Sequence, residues 1–333
     1  MSDRIASETE LIQTFLAPLA AGAPGAFGLL DDAALLPVPP DCDLVVTTDP
    51  IIAGVHFFVD DSPQDIAWKA LAVNVSDLAA KGAAPLAYTL ALAFPEAPER
   101  AWMARFAAGL QLAQQAFDCH LIGGDTDRTT GPFSIGVTAF GTTPKGRMVR
   151  RAGARAGDRI FVSGTLGEAA LGLRLRRDPK LYEAAISARE TRMFVDRYLR
   201  PRPRVDLIDA LRTSARAALD ISDGFVKDLT RLVGDNGATI AFSSLPISTS
   251  LRSILDHDTR VADLVLNGGD EYEVLAAVAP DAVAGFVAKA RLAGVAVTDV
   301  GIVGASSGVT IIGADGQSMG TISAGYDHFA PGR

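Results

Sequence analysis

The stretch Leu44-Val-Val-Thr-Thr-Asp-Pro-Ile-Ile-Ala-Gly-Val-His-Phe57 decides how the rest of the chain is read. It starts as a β-rich apolar run, then sets Thr47, Thr48 and Asp49 before Pro50, a residue that cannot donate to an interior sheet ladder. This order predicts a strand that delivers two hydroxyls and a carboxylate to its own end. Such hard oxygen donors are what Mg2+ selects, and an ion held there can carry a phosphate. His56, one of only four histidines, follows seven residues after Asp49. A Thr-Asp-Pro turn would carry the same residues for local hydrogen bonding alone, and for this stretch by itself that is the better explanation.

Upstream, Ser7 and Glu10 fit a capping box opening an amphipathic helix through about Leu19. Asp31 and Asp32 then interrupt an apolar segment. Adjacent carboxylates repel, so the pair is easiest to understand beside a cation, although an exposed acidic turn is commoner. Downstream, Asp65 to Gly82 has helical apolar spacing that puts Asn74 and Asp77 on one face, inside a run that otherwise looks buried. A buried carboxylate needs a partner or a metal; an Asp77–Lys81 surface pair would also satisfy this helix. An apolar strand over 86–94 and a helix over about 99–117 lead to His120-Leu-Ile-Gly-Gly-Asp-Thr-Asp-Arg128, which repeats the design of the first stretch. There Gly124 permits close backbone approach beside Asp125, Thr126 and Asp127. With a strand over 133–141, the alternation predicts an α+β layer with helices on one face.

Near Gly146 the texture turns basic and glycine-rich, so two domains are expected, 1–146 and 147–333. Arg147, Arg150, Arg151 and Arg155 form either a solvated linker face or, for one of them, a phosphate clamp. In Leu219-Asp-Ile-Ser-Asp-Gly-Phe225, helix capping accounts for Ser222 or Asp223 but less readily for Asp220. Asn267-Gly-Gly-Asp-Glu-Tyr-Glu273 precedes another apolar strand, and Gly325-Tyr-Asp-His-Phe329 places aromatics near the end.

At 333 residues the chain exceeds one ordinary core. Its 48% apolar and 21% charged residues describe a globular protein. The net charge of −8 argues against nucleic-acid and anionic-membrane partners. No secretion signal is expected from the acidic start, and the most apolar run is too short to span a bilayer. Cys42 and Cys119 have neither disulfide nor metal-ligand spacing, which fits a reducing cytoplasm.

Five separated segments, at Asp31-Asp32, Thr47–Asp49, Asp77, Gly124-Asp125 and Asp220–Asp223, end or interrupt apolar runs with aspartate. If they converge, that much negative charge requires several divalent cations, and these imply a strongly anionic ligand. The usual nucleotide loops and the signatures of zinc enzymes and serine hydrolases are absent from the sequence, so a nucleotide would be gripped chiefly through metal bridges.

The motifs DDAALL, TTDPIIAGVHF, WKALAVNVSDLAAKGAAP, LIGGDTDR, RRAGARAGD, LDISDG, NGGDEYE and GYDHF, in this order, resemble the thiamine-monophosphate kinase family. That family belongs with aminoimidazole ribonucleotide synthetase and selenophosphate synthetase. The resemblance implies a two-domain fold, with an N-terminal ferredoxin-like α+β sheet layer through which two copies dimerise and a C-terminal α/β domain. It implies ATP and thiamine monophosphate as substrates and several Mg2+ ions. Asp32, Thr47, Thr48, Asp49, Asp77, Asp125, Asp220 and Asp223 match its Mg2+ ligands, of which Asp49, Asp77 and Asp125 are expected to matter most for catalysis. Gly124, Asp125, Arg151 and Ser222 match ATP contacts, and His56, Asp270 and Tyr326 match contacts to thiamine. The chain departs from the family pattern in three ways: Leu30 replaces a glycine, Thr47 a serine, and Asp270-Glu271 reverses a Glu-Asp pair. The rivals are a sister synthetase and a non-catalytic nucleotide-binding protein. Cys42, the first cysteine, lies outside any reactive N-terminal motif of the selenophosphate type.

Overall fold

The computed structural model describes residues 4–319, so Tyr326 and its motif lie outside the described residues. The chain forms two compact units. One takes in the chain up to Ala79 together with Ala83–Met148, and the other takes in Ala80–Gly82 and the chain from Val149 onward.

The first unit opens with a short helix, α1 (Glu8–Leu11), where the Ser7 hydroxyl accepts from the Glu10 amide at 3.1 Å. The Glu10 carboxylate reaches back to the Ala6 amide rather than to Ser7, so only half of the expected capping box forms. The helix does not run on to Leu19 as an α-helix. It widens over Ile12–Leu16 and tightens over Ala17–Ala20, where Pro18 supplies no amide hydrogen.

Then follow β1 (Cys42–Ile52), α2 (Pro63–Ala80), β2 (Ala84–Phe94), α3 (Arg100–Phe117), β3 (His120–Arg128) and β4 (Ser134–Pro144). They build a four-stranded sheet in the order β1-β4-β2-β3, with β4 antiparallel to both neighbours and β2 parallel to β3. Residues alternate along a strand, so Ile135, Val137 and Ala139 of β4 are buried beneath the helices. Both helices cover this face. Tyr88 bonds to Gln114 of α3 at 3.1 Å, and the Trp68 and Phe117 rings of α2 and α3 meet at 5.0 Å. The α+β layer read from the sequence is the observed one.

Pro50 does not end β1. Its ladder continues through Pro50 opposite Gly136 to Ile52 opposite Ser134. Because β1 is an edge strand, proline's missing donor can face away from the sheet without cost. Thr47, Thr48 and Asp49 therefore lie within a strand and not at its tip.

The second unit contains β5 (Arg159–Ser163), α4 (Glu168–Arg177), α5 (Ala188–Leu199), α6 (Ile208–Ser214), β6 (Ala215–Asp220), α7 (Phe225–Val233) and β7 (Gly237–Ala241). It continues with α8 (Thr249–Leu255), α9 (Val261–Asn267), β8 (Val274–Val278), α10 (Val283–Leu292), β9 (Val297–Gly304) and β10 (Gly308–Ile312). The sheet order is β10-β7-β9-β5-β8-β6. Every residue of β8 is buried, as its uninterrupted apolar sequence demands, because β8 lies inside the sheet with a core on each face.

Candidate active site

In the first unit, strand alternation separates the two adjacent threonines. The Thr47 hydroxyl donates to the Asp77 carboxylate of α2 at 2.6 Å. The Thr48 hydroxyl points to the other face, donating to the Val137 carbonyl at 3.0 Å and accepting from Thr138 at 3.1 Å. Thr48 is therefore not brought together with Asp77.

Asn74, wholly buried one helical turn before Asp77, clamps the edge of β1. Its side-chain oxygen accepts from the Asp49 amide at 2.8 Å, while its nitrogen donates to the Asp49 carbonyl at 3.3 Å and to Ala70 at 3.1 Å. A buried amide satisfied this fully is a rigid fastener, and it fixes where Asp49 emerges beside the Thr47–Asp77 pair. His56 occupies the turn after β1. Its Nδ1 accepts from the Ile52 amide at 3.0 Å, and its carbonyl takes a bond from the largely buried Lys69 ammonium at 3.0 Å. The two bonds fix the orientation of the ring beside the end of β1.

Asp125 sits on β3, at the opposite edge of the sheet from β1. Asp49, Val137, Leu90 and Gly124 form one row across the four strands. Three interstrand steps amount to about 14 Å, so Asp125 and the Thr47–Asp49–Asp77 group of one chain do not converge on a single ion. Gly124 has φ +158°, and a Cβ there would collide with the Leu90 carbonyl of β2. Replacing Gly124 with alanine is expected to force β3 away from β2, destabilising the protein by roughly 1–3 kcal/mol and displacing Asp125. Thermal melts compared with a Gly123→Ala control check this; equal melting temperatures would count against it. Asp31 and Asp32 are exposed, following a turn in which Phe27, Gly28 and Leu29 all adopt positive φ.

In the second unit, Asp220 ends β6, and Ile221 and Ser222 continue as a paired segment. Ile221 bonds to Glu273 and Tyr272, and the Ser222 carbonyl accepts from the Asp270 amide at 3.0 Å. The Asp228 carboxylate, buried at the start of α7, accepts from the Ser222 and Asp223 amides at 3.1 and 2.9 Å, which shapes the turn. Burial pushes the Asp228 carboxyl above its ordinary range, against the opposing Asp223 amide bond and Arg231. Asp223 is engaged by Lys227 at 2.9 Å and Arg231 at 2.8 Å, cations that any metal bound by this carboxylate would have to displace. Arg151 is exposed in the turn before β5.

Beneath the Asp270–Tyr272 loop lies a buried charged network that the sequence reading missed. Glu273, with no exposure, accepts from Ser163 at 2.5 Å, from Arg197 at 2.8 Å and from Arg204 through both its Nε, at 2.6 Å, and its Nη2. Glu168 and Glu271 are buried near Arg197. The only hint was the spacing of Glu271 and Glu273 immediately before an apolar strand. Their arginine partners, 69 and 76 residues away from Glu273, carry no sequence mark of the pairing.

Among the described residues, no group of three or more His, Cys, Asp or Glu side chains is arranged to hold a metal by itself. The donor set nonetheless fits Mg2+, which characteristically takes one or two carboxylates and completes its shell with water and substrate phosphate. Thr47, Asp49 and Asp77 supply such oxygens at one edge of the sheet.

Comparison with known proteins matches residues 30–143 to the N-terminal domain and residues 155–314 to the C-terminal domain of AIR synthase related proteins. The thiamine-monophosphate kinase of Escherichia coli K12 is 41% identical over 308 residues, covering 91% of this chain and 92% of that protein. The Caulobacter vibrioides thiamine-monophosphate kinase is 39% identical over 300 residues, covering 89% and 83% respectively. A crystal structure of thiamine-monophosphate kinase from Stenotrophomonas maltophilia K279a superposes with a TM-score of 0.78 at 42% identity, covering 87% of this chain and 90% of that one. AaThiL complexed with AMPPCP and TMP superposes with a TM-score of 0.75 at 31% identity over 97% of each chain. The hydrogenase maturation protein HypE in complex with ATP, 18% identical over 93% of this chain and 92% of its own with a TM-score of 0.75, shares the fold.

Proposed function

The chain belongs to the thiamine-monophosphate kinase family of AIR synthase related proteins, and on that premise we propose that it transfers the γ-phosphoryl group of ATP to thiamine monophosphate, yielding thiamine diphosphate and ADP. The observation that carries this reading is the Thr47–Asp77 pair beside Asp49, fastened by Asn74, in a chain 41% identical to a thiamine-monophosphate kinase over nearly its whole length.

The acceptor needs little activation. A phosphate monoester has a second pKa of about 6, so its oxygens are largely ionised at neutral pH and direct in-line transfer requires no strong general base. The difficulty is bringing two polyanions together, and Mg2+, when bound, supplies charge neutralisation and a fixed geometry. Thr47, Asp49 and Asp77 would hold one such ion, with the Thr47 hydroxyl orienting the Asp77 carboxylate and Asn74 holding the strand. Asp32, Asp125, Asp220 and Asp223 are assigned to further ions. Gly124, Arg151 and Ser222 are assigned to ATP. His56 and Asp270 are assigned to thiamine, with the imidazole oriented by the bond that its Nδ1 accepts from Ile52. Tyr326, given the same role from the sequence, lies outside the described residues. We place the enzyme in the cytoplasm because Cys42 and Cys119 have neither disulfide nor metal-ligand spacing; no helix among the described residues is long and apolar enough to cross a membrane.

We assign the exposed β1 part of the helix-free sheet face of the first unit, beside the segment 20–36 that packs on Ala87, Ile122 and Phe140, to a homodimer. Leu44 and Val46 project from β1 away from the helices with exposures of 43% and 53%. Apolar side chains on an open sheet face gain by burial against a second copy. Val46→Asp is expected to shift the species seen by sedimentation from two chains toward one, and an unchanged mass would count against this interface.

The decisive experiment incubates the protein with ATP, Mg2+ and thiamine monophosphate, with free thiamine in parallel, and separates the products. Stoichiometric thiamine diphosphate and ADP, with thiamine inert, is the expected result. ATP turnover without thiamine diphosphate would overturn the reading.

A further inference from the structure

Glu271 lies between two residues in a conformation that side chains rarely adopt, Asp270 at φ +65° and Tyr272 at φ +51°. Both flanking residues are half-buried, whereas Glu271 and Glu273 point inward and are buried. Non-glycine residues hold left-handed conformations only where the surroundings impose them, and such strain collects at functional sites. Three sets of contacts impose it here. The Glu271 carboxylate accepts from the Ala170 and Ala169 amides at 3.3 and 3.4 Å, in the first turn of α4. That helix has Gly167 at its N-cap and no capping side chain of its own, so Glu271 provides the acceptor from 102 residues away. Glu273 is locked by Ser163, Arg197 and Arg204. On the outer side, the amides of Asp270 and Tyr272 bond to Ser222 and Ile221 at 3.0 and 2.9 Å, and Gly269 passes so close to the Ser222 carbonyl that a Cβ would collide with it. The Tyr272 hydroxyl donates to the Asp270 carboxylate at 3.3 Å.

We propose that Glu271 is a positioning residue that holds Asp270 and Tyr272 outward as one recognition element, and that the Tyr272 ring joins Asp270 in contacting the acceptor. This rests on the functional reading above. A carboxylate bonded to an aromatic ring suits a cationic heteroaromatic ligand, because the ring face attracts a delocalised positive charge while the carboxylate neutralises it. Thiamine monophosphate carries such a ring; the adenine of ATP does not. Tyr272 therefore discriminates on the acceptor side.

The groups facing Glu271 are Glu168 at the start of α4 and Arg197 of α5, with Glu273 and Arg204 behind them. Burial outweighs the opposing influence of Arg197 and the two amides, and with Glu168 adding to it the Glu271 carboxyl is pushed up to about 8. At neutral pH the group is mostly uncharged. Glutamine should then replace it, keeping a carbonyl acceptor for Ala170 and giving up only the longer bond to Ala169.

The test compares steady-state kinetics and melting of the full-length parent with Glu271→Gln, Glu271→Ala and Tyr272→Leu. Glu271→Ala and Tyr272→Leu are expected to raise the KM for thiamine monophosphate about tenfold, with the KM for ATP within about twofold; Glu271→Gln should stay within about threefold of the parent in both. A merely structural role would lower melting temperature and active fraction without moving the acceptor KM, and that outcome overturns the proposal. If Glu271→Ala does not fold, Tyr272→Leu decides, an unchanged acceptor KM being the overturning result. A parent that does not phosphorylate thiamine monophosphate overturns the functional reading and this proposal with it; an active parent with unaffected variants overturns this proposal alone.

Discussion

Replacing Asp77 with asparagine is expected to lower the turnover of thiamine monophosphate at least about a hundredfold, with little change in melting temperature. Asparagine keeps an oxygen to accept the Thr47 hydroxyl now bonded at 2.6 Å, so β1 and α2 remain fastened through Asn74 and the local shape is preserved. What is lost is the negative charge that would hold a divalent cation against the transferring phosphates. That loss falls on the transition state, where charge is greatest, and so on kcat. Raising Mg2+ should restore part of the activity, because a weakened site fills by mass action. The same reasoning applies to Asp49→Asn. Either variant turning over at the parent rate in limiting Mg2+ would remove these carboxylates from the mechanism.

The largest effect on stability is expected from Glu273→Gln. Glu273 is fully buried and is the shared partner of Arg197 and Arg204, whose side chains are 9% and 23% exposed. Removing its charge leaves two guanidiniums facing a neutral amide in a low-dielectric interior, where an uncompensated charge costs about 3–5 kcal/mol. For a cooperative unit the size of the second one, the melting temperature should fall by roughly 6–20 °C. The Ser163 hydroxyl, which donates a hydrogen bond to the same carboxylate, would also face a weaker acceptor. A drop smaller than about 1 kcal/mol in denaturant melts would mean that the arginines find another acceptor, Glu168 being the nearest available to Arg197 at 3.6 Å. The two experiments probe different things: Asp77→Asn should remove catalysis from a folded protein, and Glu273→Gln should weaken the fold beneath the Asp270–Tyr272 loop.

Much of the first unit was legible because its periodicities are strong. The helical spacing from Asp65 to Gly82 and the apolar run before Phe94 led directly to α2 and β2. Asp77 could be singled out because a carboxylate within a buried run needs an explanation, and its partner proved to be Thr47 from the first stretch. Pro50 misled as a strand terminator because proline's effect depends on whether its strand is at an edge, which local sequence does not state. Likewise, Thr47 and Thr48 look like a pair of ligands in one dimension, yet the pleat sends them to opposite faces. The start of the chain shows the limit of capping signals: Ser7 behaves as an N-cap, but Pro18 and the wide turn over Ile12–Leu16 break the regular helix.

By itself, then, the sequence determined the two-unit α+β and α/β architecture, the oxygen chemistry of the recurring aspartate segments and, through the order of the motifs, the family. These are local or sequential properties: apolar period, residue type and motif order are written along the chain. Tertiary structure alone decided that Asp125 stands about 14 Å across the sheet from Asp49, that Asp223 is engaged by Lys227 and Arg231, and that Glu273 anchors two arginines from distant helices and loops. Strand order, facing and long-range ion pairing arise from how elements pack, and a carboxylate has the same letter whether it meets solvent, a metal or a guanidinium.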